Sequence, residues 1–210
     1  MSIVENLCNF AETSLANGPY ATFAAENLFD QADLSYMETS CNALPKERIE
    51  IGDVGELNYL DVGRFMEDKK GELPVYRNDP IGQNVVKILT SGKCKELFEH
   101  LMGGEYFIRR CQSNILIEGS HIGRHIDTYS NFKYKYSVVI QFGEDYDGGS
   151  FFVEHEGKDL EIKTGYHDIL INKCEIPHGV NTVTGGRRSS LVFFVSQSPL
   201  DERNLENNQI

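Results

Sequence analysis

The sequence predicts a mainly β fold with flanking helices, of the α+β class, and three observations carry that expectation. From residue 105 onward apolar residues recur with period two in "YFIRRCQSNILI", "YKYSVVIQF", "SFFVEH", "DLEIK", "DILIN" and "SSLVFFVS", the pattern of strands with one buried face. Gly, Asp and Asn separate these runs at the short spacing of a sandwich or barrel, of which the two-layer jelly roll is the commonest form. Before residue 105 the apolar spacing is largely that of helices, which would buttress one of the sheets.

Taken in order, "ENLCNFAETSLANG" reads as a helix ended by Asn17, Gly18 and Pro19, and "TFAAENLFDQADLSYM" resumes a helical pattern. The stretch "ERIEIGDVGELNYL" alternates as a strand, and "MEDKKGELPVYRNDP" carries the charge and breakers of a loop. In "IGQNVVKILTSGKCKELFEHLMGG" two apolar helical faces flank a break at Ser91 and Gly92, and Gly103 and Gly104 end the second. The strands listed above then follow. One domain over 1–210 is expected, with 1–104 as helical and mixed support, 105–197 as the β core and 198–210 as a C-terminal tail.

Composition limits the function classes. A chain of 210 residues with 40% apolar content can bury a core of its own. A net charge of −12 repels nucleic acid and anionic membranes, so neither is expected as a partner. The start, "MSIVENLCNFAETSL", lacks a basic stretch followed by an apolar run, which points to a cytoplasmic protein without a membrane span. Five dispersed cysteines with no Cys-x-x-Cys pair argue against a disulfide framework or a structural zinc site. Oligomeric state is not legible.

The chemistry sits in "HIGRHIDTYS" and "CEIPHGVNTVTGGRRSSLVFFVS". In a strand His125 and Asp127 would point to one face, offering an imidazole nitrogen and a carboxylate oxygen to one ion. His178 can supply the third donor. Two histidines and one carboxylate leave the remaining positions of a metal open, the arrangement of non-haem Fe(II) oxygenases. Downstream, Arg188 and Ser190 share a strand face and present a guanidinium fork and a hydroxyl suited to a carboxylate. A slip of one residue would substitute Arg187. "EDYDGGSF" lacks the ligand ladder of a calcium loop and reads as a solvated acidic turn. His121, His155 and His167 receive no role, and a solvated face accounts for Arg109, Glu118 and Arg124.

The ordered series His125-x-Asp127, "YDGGSFFVE" and "GYHDILINKCEIPHGVNTVTGGRRSSLVFF" resembles the Fe(II)/2-oxoglutarate-dependent oxygenase superfamily over about residues 105–197. The resemblance implies a double-stranded β-helix, a cupin-like jelly-roll core. It also implies His125, Asp127 and His178 as iron ligands and Arg188 with Ser190 as the anchor of the far 2-oxoglutarate carboxylate. Asn114 and Tyr136, with Tyr134 beside it, occupy positions that often help hold that cosubstrate in the family; cross-strand packing is the competing reading for the tyrosines.

The implied cofactors are Fe(II), 2-oxoglutarate and O2, and the implied reaction is hydroxylation of an unactivated C–H bond coupled to release of succinate and CO2. Asp127 retains the carboxylate that the halogenating branch lacks, which disfavours halogenation and leaves hydroxylation, desaturation or cyclisation. The expected substrate is a small molecule such as an amino acid or natural-product intermediate. Two alternatives stay open: a peptide or protein hydroxylase of the same superfamily, and a metal-binding jelly roll that senses or binds without turnover.

Overall fold

The structure is a computed structural model describing residues 2–69 and 71–199; the expected tail lies outside the described residues from 200 onward. Helix α1 (Ile3–Asn17) begins with a capping box in which Ser2 accepts from the Glu5 amide, and it buries Leu7, Cys8, Ala11 and Leu15 on one face. Where the sequence suggests an immediate second helix, the chain instead forms strand β1 (Tyr20–Ala24), a single 3-10 turn, and then α2 (Gln31–Ala43). The physical reason is twofold. Tyr20–Ala24 find backbone partners at a sheet edge, and Asp30 caps the later helix by accepting from the Asp33 amide.

The strand expected over 47–60 is a hairpin, β2 (Glu47–Ile51) turning at 52–56 into the long β3 (Leu57–Glu67); β4 (Val75–Tyr76) adds a short pairing to the end of β3. Helices α3 (Ile81–Leu89) and α4 (Gly92–Met102) separate at Ser91 as expected, and Gly103, at φ 68°, closes α4 in the left-handed conformation that a side chain disfavours. Then come β5 (Phe107–Ile117), β6 (His121–His125), the single-turn α5 (Asp127–Ser130), β7 (Tyr134–Gln141), β8 (Tyr146–Gly148), β9 (Phe151–His155) and β10 (Lys158–Ile162). Strands β11 (Asp168–Lys173), β12 (His178–Val180) and β13 (Val183–Ser196) complete the described chain.

The strands pair in the order β1-β11-β7-β13-β5-β3 in one layer and β6-β12-β9-β10 in the other, with β3 joining the two through Asn58 and Tyr59. All of these pairings are antiparallel, as in a jelly roll. The first hundred residues therefore supply a strand between the layers as well as the helical support.

Two apolar clusters result. One lies between the helices and the outer face of the larger layer, where Phe98 of α4 meets Phe193 of β13 edge-on at 5.6 Å. Replacing such a fully buried phenylalanine with alanine costs about 3–5 kcal/mol. The other lies between the layers, around Leu60, Leu116, Val139, Phe151, Val192 and Phe194. The pocket opens into this second cluster. All five cysteines are buried thiols.

Candidate active site

The centre of the site follows from strand register. His125 ends β6 and faces His178, the first residue of β12, directly across the ladder, so the two rings lie 4.4 Å apart. Gly179 allows this approach of β12 to β6: a Cβ there would meet the Ile122 carbonyl oxygen at 2.6 Å. Each histidine donates its Nδ1–H to a backbone carbonyl two residues before it, His125 to Gly123 at 2.8 Å and His178 to Ile176 at 2.8 Å. Both rings therefore present Nε2 to a common point, the second-sphere arrangement that orients metal-binding imidazoles.

Asp127 completes the group from an element that differs from the expected one. It is not a strand residue two along from His125; β6 stops at His125, and Asp127 opens α5, where its carbonyl accepts from the Asn131 amide at 3.1 Å. That turn brings the carboxylate back between the histidines, with Oδ1 3.3 Å from His125 Nε2 and Oδ2 3.2 Å from His178 Nε2. One donor atom from each residue lies within 4.8 Å of the others, and among the described residues this is the one such cluster of His, Cys, Asp and Glu.

Asp127 Oδ2 is buried and makes no well-directed hydrogen bond. Burial alone would raise its pKa, but the two imidazoles outweigh burial and hold the carboxyl well below the usual range. Burial likewise pulls His125 down, while the bond and charge of Asp127 lift it to about 9. Two neutral nitrogens and one carboxylate on a shared side fit Fe(II), leaving its other positions open.

Along β13 the residues Arg188, Ser190, Val192 and Phe194 alternate into the same cavity, opposite Leu116, Asn114, Gln112 and Arg110 of β5. Arg188 is only 2% exposed, its Nε lacks a partner, and no carboxylate pairs with it among the described residues. Burial pushes its pKa below the ordinary value. A buried guanidinium without an anion is costly unless a ligand supplies one. Arg187 points the other way, is exposed and donates to Asn42 Oδ1 at 2.8 Å. Ser190 Oγ is buried without a hydrogen-bond partner, and Asn114, also lining the cavity, accepts from Gln112 Nε2 at 2.7 Å.

The structure corrects the placement of Tyr136. Its side chain packs in the helix-side cluster and does not line the cavity, whereas Tyr134 does. Two residues apart on one strand should share a face, but the β7–β13 register shifts between Val195 and Ser196, and that bulge turns Tyr134 inward. The Tyr134 hydroxyl donates to Asp68 at 2.7 Å. Arg109 is likewise misplaced by a solvated-face reading: it is fully buried against Asp68. Arg124 is a surface residue bonded to Glu154 and Asp159, Glu118 is exposed, and His121, His155 and His167 stand outside the metal-competent group.

Several cavity residues escape a sequence reading. Arg110 and Gln112 share strand parity with Asn114, which was the available signal. Arg64 of β3 and Asp53 of the β2–β3 turn reach the cavity through long-range pairing that leaves no local mark. The cavity, about 1080 Å³ of space with its open mouth included, runs from Arg188 past the His125–Asp127–His178 cluster to that turn.

No family model matches the chain, and no curated protein matches it. Among solved structures it is similar to an oxidoreductase of the 2OG-Fe(II) oxygenase family from Burkholderia pseudomallei, with 32% identity over 94% of each chain and a TM-score of 0.86. The fold is shared with a prolyl hydroxylase from Trichoplax adhaerens in complex with a hypoxia inducible factor peptide fragment, at 16% identity, 95% and 91% coverage and a TM-score of 0.68. It is also shared with the epimerase SnoN in complex with Fe3+, alpha ketoglutarate and nogalamycin RO, at 10% identity, 91% and 84% coverage and a TM-score of 0.63. The double-stranded β-helix fold and the Fe(II) and 2-oxoglutarate dependence are those of its relatives, and the chain belongs to the 2OG-Fe(II) oxygenase family.

Proposed function

We propose that the protein is a dioxygenase that hydroxylates an unactivated C–H bond of a small molecule, such as an amino acid or natural-product intermediate, and that the whole chain acts as one oxygenase domain. In this reading His125 and His178, through Nε2, and Asp127, through its carboxylate, hold Fe(II). Arg188 takes the distal carboxylate of 2-oxoglutarate, with Ser190 and Asn114 beside it. The observation that carries the reading is the buried Arg188, which meets no carboxylate among the described residues and opens into the same cavity as the three metal-competent side chains.

When bound, Fe(II) with 2-oxoglutarate and O2 supplies the oxidation, converting the cosubstrate to succinate and CO2. The chain's own residues position and exclude. The backbone carbonyls of Gly123 and Ile176 keep the Nδ1 protons in place, so that Nε2 is the nitrogen left to bind the metal once it is deprotonated. Arg188 fixes one end of a dicarboxylate at the depth of the cavity, and Val139, Val192, Phe151 and Phe194 keep water from the reacting centre. The β2–β3 turn bordering the cavity favours a compact substrate over an extended peptide.

The test is aerobic turnover of iron-loaded protein with 2-oxoglutarate and a panel of small metabolites under isotopically labelled dioxygen. The expected result is succinate release stimulated by one panel class, with one labelled oxygen atom in its product. Stimulated succinate release with an unsaturated or cyclised product and no label would replace hydroxylation with desaturation or ring closure.

A further inference from the structure

At the end of the cavity opposite Arg188 stands a second cationic group. Phe194 lies six residues beyond Arg188 on β13, about 20 Å at the rise of an extended strand, and its cross-strand partner on β5 is Arg110. The Arg110 guanidinium sits over the Phe194 ring at 5.6 Å, which fixes its plane. One of its terminal nitrogens reaches Asp53 at 2.5 Å, while its Nε is buried without a partner. Its planar fork is thus only half used.

Arg64, paired in register with Gln112, lines the same mouth. The carboxylate it meets, Glu47, stands at 3.9 Å and is largely exposed, too far for a hydrogen bond. The carboxylate that contacts Arg110 at this end of the cavity, Asp53, belongs to neither layer. It is a half-exposed residue of the β2–β3 turn and also accepts from Ser130 of α5 at 3.2 Å. The remaining acid there, Glu56, is already engaged by the Val54 amide and by Asn58, both at 3.1 Å.

We propose that the mouth of the pocket binds the carboxylate of a small organic acid through Arg110, with Arg64 as the supporting charge, in the place that Asp53 takes in this structure. The substrate would lie carboxylate outward and reacting carbon inward, toward the His125–Asp127–His178 cluster, past the amide of Gln112. This rests on the oxygenase reading of the cavity and narrows its substrate to a carboxylate-bearing molecule, despite the chain's overall negative charge. Specificity follows from unused guanidinium donors: an acid satisfies them and its neutral amide does not.

The experiment is anaerobic calorimetric titration of protein loaded with Fe(II) and 2-oxoglutarate, using free L-amino acids and their primary amides as probes. At least one acid should bind about ten- to a hundredfold more tightly than its amide, the range expected for one charge-assisted contact. Arg110→Gln should erase that preference. Asp53→Asn should tighten the acid, because a competitor is removed, whereas a purely structural clasp would leave binding unchanged or weaken it. Equal binding of acids and amides, no binding by any acid, or no tightening in Asp53→Asn would overturn the proposal. The visible band of the iron chelate, recorded on the same samples, separates the two levels: its absence removes the oxygenase reading and this proposal with it.

Discussion

Arg109 and Arg188 are both buried guanidiniums on adjacent strands of the same layer, yet their surroundings are opposite. Arg109, 0% exposed, gives its terminal nitrogens to the Asp68 carboxylate and to the Pro199 and Glu72 carbonyls. Asp68 in turn accepts from Asn131 at 2.9 Å and from Tyr134 at 2.7 Å, so the network ties β3 to the segment between α5 and β7. Arg188 has no such acid among the described residues, and it shares its cavity with Asp127 Oδ2, Ser190 Oγ and Arg110 Nε, which like its own Nε are buried without hydrogen bonds. Polar groups that the chain satisfies by itself hold the fold; polar groups left for a ligand mark the site. Burial and an unpartnered Nε are common to both arginines; what separates them is the Asp68 carboxylate that Arg109 has, for which Arg188 has no counterpart among the described residues.

The comparison can be broken in order of expected effect. Replacing Asp127 or His178 with alanine should lower Fe(II) affinity by more than the roughly ten- to hundredfold that loss of an outer-sphere partner costs, read by anaerobic metal titration of the folded protein. Arg109→Met should do the reverse. It strands Asp68 and should cost about 3–5 kcal/mol in denaturant unfolding, while iron affinity per folded molecule is retained. If Arg109→Met is neutral, the contrast between the two arginines has no energetic content.

Arg188→Met removes a buried charge that no carboxylate among the described residues neutralises, so the unfolding midpoint of the protein without 2-oxoglutarate should hold or rise. The concentration of 2-oxoglutarate needed for half-maximal chelate should increase about ten- to a hundredfold, the value of a hydrogen-bonded charge. A pH series sharpens the metal side. Without metal, Asp127 raises His125 to about 9, above the unfolded value of about 6.5. That interaction therefore stabilises the folded protein fully below about pH 6.5, and its contribution disappears as pH rises through about 9. Fe(II) must displace the same proton, so apparent affinity should climb toward that pH, about tenfold per unit for one proton released. Asp127→Asn should flatten the stability trend. The smallest effect belongs to Arg187→Ala, within about 0.5 kcal/mol in stability and with the 2-oxoglutarate requirement unchanged.

How much of this was legible in the sequence depends on how local the determinant is. The alternation of β5, β7 and β13 can be read from period two, and the same alternation separates Arg188 from Arg187 once Ser190 is taken with it. The break at Ser91 and the stop at Gly103 are equally local. Tyr136 fails because a bulge interrupts the alternation on which the inference depends. Asp127 reaches the right place by a helical turn that a two-residue spacing cannot distinguish from a strand.

The first hundred residues conceal more. β1 is five residues long, stabilised by pairing with β11 almost 150 positions away in the chain, and its composition suits a helix equally well. Asp53, Arg64 and Arg110 converge only after β2, β3 and β5 pair. No periodicity in any one of those segments announces the meeting.

The most direct test of the account is anaerobic titration with Fe(II) and 2-oxoglutarate, following the visible charge-transfer band of the chelate in wild type, Asp127→Ala and Arg188→Met. The account predicts a band in wild type, none in Asp127→Ala, and a full band in Arg188→Met that is reached only at higher 2-oxoglutarate. A band that forms in Arg188→Met at the wild-type concentration would contradict it, because the buried arginine would then not be the group that waits for the cosubstrate.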